Sequence, residues 1–488
     1  MHDTTKHLCT VQQQGDVSGA LHPTKESPYC GQNNESISPT MTTETTWTRS
    51  SSCGGWHAEV SVRPTSASNL ESIRSWWRNY FRSGQSESMD INREGEIDMS
   101  PLPQDIRGAC IRATLTGDDS TFPVSFSSVN TIPCDVHVFI LREEESCIEE
   151  LQPTVGDDEW TAGCDNLSLP HISLESVWES LIFESEVKRQ LLSHAQSALL
   201  FSDKRVSSHI IQWNRMILLH GPPGTGKTTL CRALAHKLAI RQCHRFPRTT
   251  LLEIHSHSLF SKWFSTSGKL VSALFQMIRD MVEDDPSSLV CVLIDEVESL
   301  AASRSNTSSN GDPTDAMRAV NSLLTSLDRL RHFPNVLVLA TTNLNGSVDS
   351  AFVDRVDLKL HIGLPIAKAR YQILRSCIQE LIRVGIVHCS DNDTQGSDFP
   401  TYEEIHNQGE HKMDVSLSIT EHYGVLLSKC AQQAEGLSGR SLRKLPLQAH
   451  ALYTSSDSKL EDGSLPLEHF LEALFLAIKN DVEARVGL

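Results

Sequence analysis

The chain has 488 residues, of which 39% are hydrophobic and 21% charged, and its formal net charge is −18 at pH 7. This length accommodates two or three domains, each with a core of its own. The acidic balance disfavours nucleic acid and anionic membranes as direct partners. The longest apolar runs, such as Leu289 to Ile294, are far shorter than the roughly 20 residues of a membrane span. Because the N-terminus also lacks the pattern of a secretory signal, we expect an intracellular protein.

Thirteen cysteines are scattered along the chain, and none forms a C-x-x-C pair. Cys231 and Cys291 fall inside apolar segments that are expected to lie in the core. We therefore expect reduced thiols that contribute to packing rather than a disulfide framework.

The first 170 residues divide into three regions. Residues 1–55 are rich in Ser, Thr, Gln, Asn and Gly without apolar periodicity, which predicts a disordered tail. Residues 56–150 contain three strand-like runs and one amphipathic helix, opened by a capping box at 68–71, and predict a small α+β domain that recognises a substrate or adaptor. An acidic, polar linker is expected at 151–170. Arg74, Arg78 and Arg82 recur every four residues on the predicted helix, where a solvated face is favoured slightly over a docking surface for an acidic partner.

A large ATPase subdomain is predicted for residues 171–365, where apolar strands alternate with helical patterns, as in a parallel sheet with flanking helices. Residues 366–488 show helical periodicity and predict a small helical lid, with a polar loop at 390–414. The candidate strands of the large subdomain are Met216–Leu219, Thr250–Ile254, Leu289–Ile294 and Val336–Thr341.

A phosphate-binding motif, Gly221-Pro-Pro-Gly-Thr-Gly-Lys-Thr228, follows the first of these strands and precedes a helical pattern. Glycines let the backbone turn tightly, so that successive N–H groups point at phosphates, and the helix adds its positive end. Lys227 is expected to reach the β- and γ-phosphates, and the Thr228 hydroxyl to bind Mg²⁺. A glycine-rich turn without a ligand is a weak alternative, because the pattern arises by chance in roughly one such chain in a hundred. The residues predicted to contact ATP are Gly221, Pro222, Pro223, Gly224, Thr225, Gly226, Lys227, Thr228 and Thr229.

Two carboxylates, Asp295 and Glu296, end the third candidate strand. The apolar run before them is typical of a buried parallel strand, and such strands present ligands at their C-terminal ends. Asp295 is placed to hold Mg²⁺, directly or through water, and Glu296 to polarise the attacking water. Two acids that merely end a strand are the alternative, which the nearby phosphate-binding motif disfavours.

The fourth strand ends at Asn343, whose amide can orient the lytic water and contact the γ-phosphate, and Arg355 follows shortly after. This order of motifs resembles the AAA+ ATPases, in which the arginine completes the site of a neighbouring subunit in a ring, usually a hexamer. A guanidinium there neutralises charge on the transferred phosphoryl group, an effect of about 10³ to 10⁵ in rate. A surface ion pair of Arg355 with Asp354 or Asp357 is the alternative.

Two further segments resemble parts of AAA+ proteins. In Gly436-Leu-Ser-Gly-Arg440, Arg440 resembles the arginine of the lid that senses nucleotide; Arg443 is its rival, and a basic exposed helix start is the alternative. Trp263 and Phe264 resemble the aromatic pair with which the pore loop of AAA+ unfoldases grips an extended peptide. Ser265 follows the pair, where the common relative has glycine.

Together with Trp213-Asn-Arg215, Ser256-His-Ser-Leu-Phe-Ser-Lys-Trp263 and Val292-Leu-Ile-Asp-Glu-Val-Glu298, these motifs resemble the pachytene checkpoint protein two family, known in animals as thyroid receptor-interacting protein thirteen. The resemblance extends from about Leu174 to the C-terminus. It implies a homo-hexamer that uses ATP and Mg²⁺ to convert or disassemble HORMA-domain proteins in meiotic chromosome-axis and checkpoint control. It also implies a HORMA adaptor as a further candidate partner and a location on chromosomes in the nucleus, with the cytoplasm as a second location.

Two other functions are weighed against this one. An ATPase of the microtubule-severing or endosomal-sorting type has similar pore loops, but usually carries a helical-hairpin N-terminal module and basic linkers. A nucleotide-gated scaffold without turnover need not keep all of Lys227, Asp295, Glu296, Asn343 and Arg355. A remodelling ATPase is therefore the favoured interpretation of the sequence.

Overall fold

The computed structural model describes ten segments of the chain, and the structural statements below concern these residues alone. Among them, no helix combines the length and the hydrophobicity that crossing a bilayer requires. The expected tail at 1–55, the aromatic pair Trp263 and Phe264, and most of the polar segment 390–414 lie outside the described residues. The described residues are 56–82, 95–117, 134–151, 161–255, 267–298, 313–343, 348–388, 399–408, 419–454 and 464–486.

A three-stranded sheet and its helices form the N-terminal region. Strand β1 (Trp56–Val62) pairs antiparallel with β2 (Cys110–Gly117) and parallel with β3 (Cys134–Ile140). Side chains alternate between the two faces of a strand. The apolar positions of β1 therefore pack against helix α1 (Leu70–Arg82), whereas its polar positions face the other way. A 3₁₀ turn at Pro64–Asn69 precedes α1, and the short helix α2 (Gln104–Ala109) precedes β2.

The arginine stripe of α1 is only partly solvated. The Arg74 side chain is 12% exposed and forms an ion pair with Glu71 at 2.5 Å. The expected solvated face is therefore wrong for Arg74, because this side of the helix lies near Cys243.

The described residues of the segment expected as a linker at 151–170, which are 151 and 161–170, instead belong largely to a sheet. Strand β4 (Cys147–Leu151) pairs antiparallel with β5 (Thr161–Leu169), and β5 pairs antiparallel with β7 (Arg248–His255) of the ATPase sheet. In β5, the polar residues Asp165, Asn166 and Ser168 lie between buried Cys164 and Leu169, so the strand has no continuous apolar run. Polar and acidic side chains suit a sheet edge, because they discourage pairing with other chains.

The ATPase sheet has five parallel strands beyond this antiparallel edge. They are β7 and β6 (Met216–His220), β8 (Ser288–Asp295), β9 (Val336–Thr342) and β10 (Leu358–His361), and the order across the sheet is β10-β6-β9-β8-β7-β5-β4. Since neighbouring parallel strands end at one edge, the residues that follow β6, β8 and β9 meet there.

Helices cover both faces of this sheet, and together with the lid they confirm the predicted α/β class. On one face, Ile217 and Leu219 pack against α4 (Ser185–Asp203) and α5 (Lys227–Arg241). On the other, Met216 and Leu218 lie in a core with the long helices that follow β7 and β8. The remaining helices of this region are α3 (Val177–Ser180), α6 (Ser267–Asp284), α7 (Pro313–Leu330) and α8 (Ser350–Val353).

The lid is helical, as predicted, and has its own apolar core. A two-stranded parallel pair, β11 (Val387–His388) with β12 (Leu465–Pro466), joins its beginning to its last helix. Its helices are α9 (Ala367–Arg383), α10 (Tyr402–Gln408), α11 (Ile419–Gln433), α12 (Gly439–Leu452) and α13 (Leu467–Val486).

Candidate active site

The loop between β6 and α5 requires glycine on steric grounds at two positions. Gly221 has φ +147° and Gly224 has φ +75°, in the region that side-chain-bearing residues rarely adopt. A Cβ at Gly221 would lie 2.1 Å from the Ile362 carbonyl oxygen, and one at Gly224 would lie 2.8 Å from Ser438 Oγ. The loop is thus held tightly between the sheet and the lid.

Lys227 lies at the start of α5, with its ammonium group among neutral oxygens. Its Nζ donates to the carbonyl oxygens of Gly221 at 2.9 Å and Pro222 at 2.8 Å, and to Asn343 Oδ1 at 2.8 Å. The side chain is buried, and burial lowers the pKa of Lys227, while Glu298 and the other nearby carboxylates oppose that shift. A buried cation with neutral partners is suited to exchange them for an anion.

Thr228 and Asp295 come together as the Mg²⁺ prediction requires. Thr228 Oγ1 donates to Asp295 Oδ1 at 2.8 Å, and the Thr341 hydroxyl donates to the same carboxylate oxygen. A hydroxyl beside a carboxylate is an oxygen donor set that fits Mg²⁺, which prefers one or two carboxylates and substrate phosphates. Thr228 and Asp295 are the residues that would hold it.

Asn343 connects the lysine to the proposed base. Its Oδ1 accepts from Lys227, and its Nδ2 donates to Glu296 Oε1 at 3.3 Å. Glu296 has φ +55°, and its backbone N–H donates to Thr341 Oγ1 at 3.1 Å. Positive φ in a residue other than glycine costs about 1 to 3 kcal/mol and is concentrated at functional sites. The structure therefore holds Glu296 in one strained orientation beside Asn343.

Two further residues of this cluster are absent from the sequence-based prediction. Thr341 contacts both Asp295 and the Glu296 backbone, as described above. Glu298 Oε1 accepts from the Asn343 backbone N–H at 2.9 Å, and its Oε2 is buried without a hydrogen-bond partner among the described residues. The sequence does carry a signal for Glu298, since it stands in the same short acidic run as Asp295 and Glu296.

A cavity of about 200 Å³ lies beside the loop and was not predicted either. Thr225 of the loop and Gly439 of the lid both line it. Its other walls come from the segment before α4 and from the connection between β10 and α9, which are far apart in sequence. They are mainly apolar, and include Ile182, Phe183, Ile362, Pro365, Ile366 and Ala369.

The lid contacts the phosphate-binding loop through the start of α12. The Arg440 backbone N–H donates to the Gly224 carbonyl oxygen at 3.0 Å, and the Arg440 charge acts on Lys227. Arg443 Nη2 instead donates to the Ser180 carbonyl oxygen at 2.6 Å. Of the two rival arginines, Arg440 is the one next to the loop.

Arg355 contacts a different set of groups. Its guanidinium binds both carboxylate oxygens of Asp328 at 2.8 Å, and this hydrogen bonding raises the pKa of Arg355. The partners considered from the sequence were Asp354 and Asp357, and Asp357 instead accepts from the backbone N–H groups of Asn214 and Met216. Asp328 lies on α7, so only the folded chain brings it to Arg355.

Comparisons with known proteins agree with this arrangement. Residues 217–364 match the ATPase family associated with various cellular activities (AAA), and residues 366–482 match the TRIP13-like AAA+ ATPase lid C-terminal domain. Fold and site together define a AAA ATPase, a class that binds nucleotide.

The relatives narrow this class to one family. The pachytene checkpoint protein 2 homolog of Arabidopsis thaliana is 43% identical over 397 residues, which cover 80% of this chain and 82% of the relative. That of Homo sapiens is 39% identical over 436 residues, covering 88% and 94%. The solved structure of C. elegans PCH-2 superposes with a TM-score of 0.68 at 32% identity, covering 88% of this chain and all of that one. The chain belongs to the pachytene checkpoint protein 2 family, which confirms the resemblance found in the sequence.

Proposed function

We propose that this protein is a hexameric ATPase that uses ATP and Mg²⁺ to convert or disassemble HORMA-domain proteins in meiotic chromosome-axis and checkpoint control. One observation carries the hydrolytic part of the proposal. Lys227, Asn343 and Glu296 form a continuous hydrogen-bonded series at the edge of the sheet, beside the Thr228–Asp295 pair. A scaffold that only binds nucleotide has no need for a base aligned in this way.

Each residue of the cluster has a distinct task in this proposal. The base of ATP enters the apolar cavity, and Lys227 exchanges its carbonyl partners for phosphate oxygens. Asn343 and Glu296 orient the attacking water, and Glu296 accepts its proton. Thr228 and Asp295 hold Mg²⁺, which when bound neutralises charge on the phosphates.

The position of Arg355 supports the proposed hexamer. Its guanidinium is paired with Asp328 in its own chain, whereas the hydrolytic cluster is built from other residues. In the proposed ring, Arg355 leaves Asp328 and contacts the phosphates held by the next subunit. Charge stabilisation of the transferred phosphoryl group is the reason for this exchange.

The substrate assignment rests on family membership. The N-terminal domain selects a HORMA-domain protein or an adaptor, and Trp263 and Phe264 grip the substrate chain in the central pore. Chromosomes in the nucleus are the proposed location, with the cytoplasm as a second one.

Substrate trapping tests this function directly. Glu296→Gln should bind ATP and stall with its substrate held, so that affinity capture in ATP recovers a HORMA-domain protein. Lys227→Ala is the matched control, since it should lose ATP and capture little. Equal recovery with both variants would contradict an ATP-dependent grip.

Trp263→Ala separates remodelling from hydrolysis. We expect normal assembly and basal ATP hydrolysis, with remodelling of a HORMA-domain substrate lowered tenfold or more, about 1.4 kcal/mol in activation free energy. Undiminished remodelling would remove the pore-loop assignment. A truncated core tryptophan would instead cost about 3 to 5 kcal/mol of stability and disrupt assembly.

A further inference from the structure

Three side chains of metal-binding type meet where the N-terminal sheet contacts the turn after α5. His137 belongs to β3, and Cys243 and His244 follow the end of α5. One ligand atom from each lies within 4.8 Å of the others. The cluster lies at the opposite end of α5 from the candidate nucleotide site and shares no residue with it.

The His137 imidazole has the environment of a metal ligand. Its Nε2 lies 3.1 Å from Nδ1 of His57, and the ring is 7% exposed. Its Nδ1 is buried and has no hydrogen-bond partner among the described residues. A buried polar nitrogen without a partner is costly, and a metal ion would satisfy it. If Nε2 donates to His57, the lone pair of Nδ1 is free for a metal, which is the usual arrangement around ligating histidines.

The donor set suits Zn²⁺. Imidazole nitrogen and thiolate sulfur are its preferred ligands, at about 2.0 and 2.3 Å in a tetrahedron, which places ligand atoms roughly 3.5 Å apart. Contraction from the observed spacing requires only side-chain adjustment, because Cys243 is half-buried and His244 is exposed. A water molecule or the carboxylate of Asp135, which lies near His244, can complete the tetrahedron.

Charges around the cluster are mixed. Arg74, Arg78 and the carboxylate of Glu71 approach His244 from α1, and the carboxylate of Asp135 approaches it from β3, so the two signs offset each other. Arg74 also lies close to Cys243. Burial raises the pKa of the Cys243 thiol and the nearby Arg74 partly opposes this shift, so the thiolate forms when metal displaces the proton.

We propose that His137, Cys243 and His244 form a Zn²⁺ site that joins the N-terminal domain to the turn at the end of the P-loop helix, with His57 as a positioning residue. On binding, the Cys243 thiol releases its proton to solvent and sulfur bonds to the metal, without oxidation or reduction. Since the ligands come from two domains, the bound metal stabilises their contact. This site is independent of ATP hydrolysis and of the substrate.

Co²⁺ serves as the probe, because its bond to sulfur gives a charge-transfer absorption band. Full-length protein, reduced and treated with a chelator, should bind one Co²⁺ per chain with this band and lose the band when Zn²⁺ is added. Cys243→Ser should abolish the band. Cys377→Ser, at a half-buried cysteine of the lid, should retain it and is the matched control.

His244→Gln provides a second variant at an exposed position, so its folding is not at risk. It should weaken Co²⁺ binding tenfold or more, and Zn²⁺ should raise the unfolding temperature of the unmodified protein but not of this variant. His57→Ala should keep the sulfur band and weaken binding by about 10- to 100-fold. Co²⁺ binding without a sulfur band, or the same band and affinity in Cys243→Ser and His244→Gln, would overturn the proposal.

Discussion

The two ends of helix α5 contain two buried lysines with different surroundings. Among the described residues, Lys227, at the first turn, donates to neutral acceptors, two carbonyl oxygens and one amide oxygen. Lys237, near the last turn, donates to two carboxylates, Glu59 at 2.6 Å and Glu179 at 2.7 Å. A buried cation is stable in a folded protein when carboxylates compensate it, whereas one with neutral partners is available to an anionic ligand. The same residue type on one helix thus has neutral partners, which suit an anionic ligand, at one end and forms a domain contact at the other.

The contact at the second end is a buried network. Glu59 belongs to the polar face of β1, and Arg241 donates to its Oε1 at 3.2 Å. Burial is the largest single influence on the pKa of Glu59 and raises it. The ammonium group of Lys237 and the guanidinium group of Arg241 together outweigh burial and lower the pKa of Glu59 to about 2. The N-terminal domain is therefore fixed to α5, the helix that begins at Lys227.

The largest expected effect on activity comes from substitutions in the nucleotide cluster at the N-terminal end of α5. Lys227→Ala should abolish ATP binding, because the ammonium group supplies the charge that faces the phosphates. Glu296→Gln should keep ATP binding and lower turnover by about 10² to 10⁴, the usual share of a general base. Nucleotide affinity by calorimetry and steady-state hydrolysis measure the two effects. An equal loss of affinity in both variants would contradict the division of roles.

Arg355→Ala should retain ATP binding and lose about 10³ to 10⁵ in turnover, because an arginine finger acts on the transition state. Mixing this variant with an excess of Lys227→Ala, which keeps Arg355, should restore part of the activity in mixed rings. Full activity of Arg355→Ala alone would contradict the assignment of Arg355 as an arginine finger.

Lys237→Met should leave the nucleotide cluster intact and instead lower stability by about 3 to 5 kcal/mol, because Glu59 and Glu179 lose their shared cation. Urea unfolding measures the loss, and adding Glu59→Gln should recover part of it. Lys204→Met, at an exposed lysine, is the control and should shift stability by less than about 0.5 kcal/mol. If Lys237→Met abolished ATP binding while remaining folded, the contrast between the two lysines would fail.

A smaller, pH-dependent effect is expected at His236, the neighbour of Lys237. Burial, followed by the charge of Lys237, lowers the pKa of His236 to about 4. In the unfolded chain the pKa of His236 is near 6.5, so the unfolded state takes up a proton at a higher pH than the folded state does. The contribution of neutral His236 to the free energy of unfolding is therefore full above pH 6.5 and is lost as the pH falls toward 4. The loss should reach on the order of 2 kcal/mol by pH 5.

Thermal unfolding of His236→Gln between pH 7 and pH 5 tests this prediction. The variant should show a shallower decline than the unmodified protein, and His209→Gln, at an exposed histidine, should not. Identical pH profiles for His236→Gln and the unmodified protein would show that His236 titrates normally in the folded state.

The central strands could be predicted within one or two residues. Strands β6, β8 and β9 are buried on both faces, so each appears in the sequence as a continuous apolar run. Strand β10, at one edge of the sheet, and β5, next to the other edge, were missed because they mix polar and apolar side chains. The polar positions of β1 have the same alternation as a strand with one solvated face, and only the docked helix α5 shows that this face is buried.

The phosphate-binding motif could be recognised from the sequence alone, because the loop from Gly221 to Thr228 is contiguous and its glycines decide its backbone conformation. Ion-pair partners that are distant along the chain could be identified only from the tertiary structure. Glu59 is 178 residues from Lys237, and Asp328 is 27 residues from Arg355. Such pairs cannot be predicted from the local sequence. A charged residue within an apolar helix pattern gives the same sequence pattern whether its side chain contacts water or a carboxylate in the folded protein.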